Sequence, residues 1–150
     1  MNKTDYKDIN ETLKAVVKDV PYTMTNLANA SALLNEKLDG INWVGFYTVK
    51  DKQLVLGPFQ GKVACTMIAF GRGVCGTAAQ TDSTQLVPDV HQFKGHIACD
   101  SASNSEIVVP IHRNGEVFGV LDIDSPLFDR FSEEDRIGLE EFVRILESVI

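Results

Sequence analysis

The sequence predicts an α+β fold: a central, mostly antiparallel sheet with helices packed on one face and a loop-covered ligand pocket on the other. Three observations predict it. Amphipathic helical stretches stand at both ends of the chain, the apolar period in the middle falls to that of a strand, and the clearest strand pair is joined by Asn-Gly. A chain of 150 residues encloses one good core without disulfide staples, so 1–150 is read as a single domain.

Residues 4–20 carry Tyr6, Ile9, Leu13, Val16, Val17 and Val20 at three- and four-residue steps, one apolar stripe on a helix that Pro21 closes. A second helix places Met24, Leu27, Ser31, Leu34 and Leu38 on one side, with Gly40 where a left-handed cap is wanted. The last helix starts at Ser132, an N-cap followed by Glu133, Glu134 and Asp135, and turns Leu139, Phe142, Val143, Leu146 and Val149 inward. Strand periodicity occupies 41–49, 54–56, 64–70 and 84–87. Arg113-Asn114-Gly115-Glu116 then joins 106–112 to 117–124, because Asn-Gly tolerates the positive φ angles of a tight turn. The long irregular stretch 89–104 reads as an ordered functional loop.

A net charge of −7 repels phosphate backbones and anionic lipid, which argues against nucleic acid and membrane partners. No signal-peptide pattern opens the chain and no apolar run approaches the roughly 18 residues of a membrane span, so a cytoplasmic protein is expected. Three cysteines in a reducing compartment leave packing, metal binding or redox chemistry. Their spacing contains no C-x-x-C, and zinc would need His91, His96 or His112 to complete an irregular set. GRGVCG at 71–76 matches a dinucleotide fingerprint, yet the next strand follows too soon for a crossover helix. Those glycines read as a tight turn leading into a short helix, 73–79, that contains Cys75.

Cys99 is the residue that points to chemistry, because it sits in a polar, Gly- and Ser-rich loop running into a strand, an unusual place for an inert thiol. His96 precedes it by three residues and is placed to stabilise a thiolate, although a loop histidine is more often a polar contact. Strand parity adds a second signal. Leu121 and Ile123 face one way while Asp122 and Asp124 face the other; in the partner strand Ile107, Val109 and Ile111 oppose Glu106. The same parity sends Trp43 and Tyr47 to the side of the three acids. Solvated charges on an open sheet give the plain reading of that pattern. Aromatic rings beside carboxylates suit a small cation with an apolar tail, such as a free amino acid.

The strings PFQGKVAC, GRGVCGTAA, LVPDVHQFKGHIACDSASNSEIVVP and GVLDIDSP resemble the free methionine-(R)-sulfoxide reductases, small enzymes built on a GAF domain. The resemblance runs from Trp43 through Ser125 and includes all three cysteines; Val63 departs from it, where the family would carry Pro. It implies a GAF-like fold and thiol-dependent reduction of free methionine-(R)-sulfoxide. Cys99 would attack, Cys65 would resolve the sulfenic acid as a disulfide, and Cys75 would be a secondary thiol. Trp43 and Tyr47 would hold the methyl and thioether end, and Glu106, Asp122 and Asp124 the polar groups, with Glu106 or Asp124 as proton donor. No metal or organic cofactor is implied, thioredoxin would be the external reductant, and a homodimer is expected. The rivals are a non-enzymatic GAF module for a small ligand and a thiol redox sensor. Against the first, no output domain follows the last helix and Asp100, not His, follows Cys99 as bilin attachment would want.

Overall fold

Sequence periodicity becomes layers in the computed structural model, which describes residues 3–96 and 102–150. The helices are α1 (Tyr6–Val17), α2 (Thr23–Lys37), α3 (Gly73–Thr81) and α4 (Glu133–Glu147). The strands are β1 (Trp43–Lys50), β2 (Gln53–Gln60), β3 (Met67–Ala69), β4 (Gln85–Val87), β5 (Ser105–Arg113) and β6 (Glu116–Ser125). They form one antiparallel sheet in the order β3-β2-β1-β6-β5-β4.

The sheet separates two apolar clusters. Val44, Phe46, Ile107, Val109, Ile111, Leu121 and Ile123 face α1, α2 and α4, which contribute Leu13, Leu27, Leu34, Leu139 and Phe142. On the other face Trp43, Tyr47, Val108 and Val120 pack with Val74, Cys75 and Ala78 of α3. The helices before and after the sheet share one face as expected, and the short helix α3 joins the loops over the second. Asp5 caps α1 by accepting from the Asp8 amide, and Ser132 and Asp135 form a reciprocal capping box at α4. Among the described residues no helix is long and apolar enough to cross a membrane.

Several boundaries shift for local reasons. α1 ends at Val17, before Pro21, because Lys18 turns extended and Asp19 takes a positive φ. The packed stripe of α2 starts at Leu27; Met24, placed on it by periodicity, is 75% exposed in the first turn. β1 begins at Trp43 instead of residue 41, and β3 is confined to three residues of the expected 64–70. β2 is more than twice as long as its apolar signal, since Gly57 and Pro58 lie in a bulge where the register with β1 shifts. The β5–β6 turn is as expected, with Asn114 and Gly115 both at positive φ.

Gly45 gives the second face of the sheet its shape. A Cβ there would stand 2.8 Å from Phe59 Cα and 2.9 Å from Trp43 Cη2, so only glycine lets the Trp43 ring lie across β1. Gly45→Ala is expected to cost about 1–3 kcal/mol through overpacking and to red-shift the tryptophan emission. Since Trp43 is the single tryptophan, thermal unfolding with emission spectra reads both effects.

Candidate active site

Register brings the sequence-predicted side chains into two adjacent rows. Trp43 on β1 pairs with Asp124 on β6, which pairs with Glu106 on β5; one step along, Gly45 pairs with Asp122 and Asp122 with Val108. Residues directly opposite on one face stand about 5 Å apart, so Trp43 and the three carboxylates share one patch. Tyr47 follows Trp43 by four, an even step, and joins the same face.

The patch is buried, which overturns the reading of solvated charges on an open sheet. Glu106 is 7% and Asp122 5% exposed, beneath α3 and the loops. They line a pocket, partly open to solvent, together with Trp43, Tyr47, Asp124, Cys75, His96 and Arg72. Val63, Ala64 and Ile68 supply an apolar wall. The Trp43 ring stacks on Phe59 at 5.2 Å and faces Tyr47 at 6.0 Å. Its indole N–H donates to the Lys62 carbonyl at 3.1 Å, and the Tyr47 hydroxyl donates to the Cys65 carbonyl at 2.8 Å.

Burial controls the protons here. Burial, then the charges of Asp122 and Asp124, pushes the Glu106 carboxyl well above the usual carboxylate range. Burial raises Asp122 too, but hydrogen bonds with Glu106, Cys75 and Asp124 oppose it. Both carboxyls thus hold their protons more tightly than in water, Glu106 by burial reinforced by its neighbours' charges and Asp122 by burial that outweighs the opposing contacts. One oxygen of Asp122, Oδ1, is buried with no hydrogen-bond partner among the described residues. The Tyr47 hydroxyl is raised by burial and by the charges of Asp122, Cys75, Asp124 and Glu106, so it stays a donor.

The cysteines differ. Cys65, part-buried in the segment after β2, is disulfide-bonded. Cys75 is a free, buried thiol; burial and then the charge of Asp122 push it well up. It sits within α3, in the short helix expected at 73–79, against the acids. Cys99 lies outside the described residues. One donor atom each from Cys75, Glu106 and Asp122 lie within 4.8 Å of one another, a set that could hold a cation, and no histidine belongs to that set among the described residues. His91 bonds Asn104, and His112 bridges Asp82 and Glu147 away from the pocket. His96 does reach the pocket, where burial and then His91 lower it toward the neutral ring.

Gly71 and Gly73 take positive φ at the start of α3, and a Cβ on Gly76 would stand 2.5 Å from the Ala69 carbonyl oxygen. The glycine string is thus a close-packed turn, not a nucleotide cradle. Sequence reasoning missed Phe59 as the support for Trp43 and Arg72 at the pocket. Phe59 lies beyond the bulge, where alternation no longer shows its face; Arg72 carried no pattern of its own.

A GAF domain model matches residues 8–150. The free methionine-R-sulfoxide reductase of Escherichia coli is 54% identical over 151 residues, covering all of this chain and 92% of that one. The structure of fRMsr of Staphylococcus aureus in complex with substrate superposes with a TM-score of 0.96 at 50% identity, covering 99% and 97% of the two chains. The free methionine-R-sulfoxide reductase from Neisseria meningitidis in complex with its substrate gives 0.94 at 44% identity, covering 99% and 92%. With this agreement in sequence, fold and length, the chain belongs to the GAF domain family and, within it, to the free methionine-R-sulfoxide reductases, which are oxidoreductases.

Proposed function

We propose that this chain reduces free methionine-(R)-sulfoxide to methionine, with Cys99 as nucleophile, Glu106 as proton donor and Cys65 as resolving thiol. The observation that carries it is one buried pocket that joins Trp43 and Tyr47 to Glu106, Asp122 and Asp124. The rings suit the methyl and thioether carbons, and the partnerless Asp122 oxygen suits an α-ammonium donor. Asp124, beside both Trp43 and Glu106, completes the anionic wall.

The Cys99 thiolate attacks the sulfoxide sulfur while Glu106 protonates the departing oxygen, a role its raised affinity for the proton supports. Methionine leaves and the oxygen stays on Cys99 as a sulfenic acid. The Cys65 thiol attacks that sulfur, forming a disulfide and releasing water. Thioredoxin then returns both cysteines to thiols by exchange. Cys65 is disulfide-bonded and Cys75 is free, which supports this division of labour between them. The burial and raised affinity of Cys75 for its proton make it a poor nucleophile.

With a dithiol present, the purified protein is expected to release methionine from the free R epimer of methionine sulfoxide and not from an N-blocked peptide sulfoxide. Methionine quantified by chromatography decides it, and equal turnover of the blocked peptide would remove the pocket from the mechanism.

A further inference from the structure

The two aromatic residues that line the pocket are also tied to the segment that carries Cys65. Residues 61–66, between β2 and β3, belong to no helix or strand, and Gly61 to Val63 are exposed. Into this segment the Trp43 indole donates a hydrogen bond to the Lys62 carbonyl and the Tyr47 hydroxyl one to the Cys65 carbonyl, at 3.1 and 2.8 Å. Both donors stand on β1, whose backbone is paired on each side, and both rings are nearly sealed from solvent. A rigid strand therefore grips an irregular segment at the disulfide cysteine itself and three residues before it.

We propose that Tyr47 and Trp43 are positioning residues for Cys65, holding its thiol within reach of its disulfide partner when the bond is open. The proposal rests on the reading of Cys65 as the resolving cysteine. Its physical basis is effective concentration. An untethered segment samples many conformations when the disulfide is reduced, and each lost tether lowers the concentration at which the Cys65 thiol meets the opposite sulfur. Closure joins Cys65 Sγ to the sulfenic sulfur and expels the oxygen as water. Reopening by a dithiol places two electrons and two protons on the two cysteine sulfurs and leaves the reductant as a disulfide. The tether changes no bond in either direction; it sets how far the equilibrium favours closure.

The test uses the whole protein without substrate, so that contacts of Tyr47 and Trp43 with methionine sulfoxide do not enter. Wild type, Tyr47→Phe and Trp43→Phe are equilibrated in graded ratios of reduced and oxidised dithiothreitol, and the Cys65 disulfide is counted by alkylation and mass spectrometry. Each variant keeps an aromatic ring and loses one donor. Each is expected to shift the exchange constant about fivefold toward the dithiol, the value of one net hydrogen bond. General loosening of the fold would also lower this constant, so thermal unfolding of the reduced forms serves as the control, and a shift with unchanged unfolding assigns the effect to the tether. If Tyr47→Phe fails to fold, Trp43→Phe carries the same test. Exchange constants equal to wild type would overturn the positioning role while leaving Cys65 as the resolving cysteine. Absence of any Cys65 disulfide in wild type would overturn both.

Discussion

Cys99→Ser is expected to release no methionine above background, whereas Cys65→Ser is expected to release one methionine per enzyme and then stall with thioredoxin as reductant. The asymmetry follows from the order of events in the proposed mechanism. The first bond to the substrate sulfur needs a thiolate, and a serine hydroxyl holds its proton far too tightly to replace it at neutral pH. The second cysteine enters only after methionine has left, so its loss traps the sulfenic acid and blocks recycling. Cys75 offers no detour. Its thiol is buried and pushed to hold its proton, by burial first and then by the charge of Asp122. Quenched-flow counting of methionine, with a sulfenic-acid trap and mass spectrometry, checks both variants. Repeated turnover by Cys99→Ser would remove that residue from the mechanism, and repeated thioredoxin-driven turnover by Cys65→Ser would do the same for the resolving step.

Much of this site was legible because strand alternation is strict where both faces of a strand are packed. In β6, Leu121 and Ile123 enter the helix-covered core while Asp122 faces the pocket, and the one-letter pattern alone places them so. Trp43 and Tyr47 on β1 follow the same parity. What parity does not give is the other side of the pocket. α3 presents Gly73, Val74, Cys75, Gly76, Ala78 and Ala79 as small buried residues, with no polar stripe to say which face it covers. The burial of the acids was therefore invisible, and with it the raised proton affinity of Glu106, since proton affinity is set by what excludes water. β2 failed for a different reason: the bulge at Gly57 and Pro58 breaks the period that would have extended the strand to Phe59. Cys65 could be recognised from its string, but its ties to Tyr47 and Trp43 depend on a segment without periodicity.

Glu106→Gln is expected to lower kcat by about 10²–10⁴, the usual worth of a positioned proton donor, and at the same time to raise stability. The two effects have one origin. Burial, then the charges of Asp122 and Asp124, raises the folded-state proton affinity of Glu106 above that of the unfolded chain. The folded state then binds the extra proton between the ordinary carboxylate range and the raised folded value. Stability from this group is fully present below the ordinary range and is lost as pH rises through the folded value. An amide keeps the shape and hydrogen-bonding capacity and never ionises, so the variant gains on wild type as pH rises across that window. Activity obeys the same titration, because the donor is competent only below its raised value. The wild-type profile should rise as the Cys99 thiolate forms and fall as Glu106 loses its proton; in Glu106→Gln the falling limb due to this group disappears from the residual rate. Thermal unfolding from pH 5 to 9 beside single-turnover rates over the same range decides the matter. A variant that loses both activity and stability would make Glu106 a structural residue, and one that keeps the wild-type rate would pass the proton to another group.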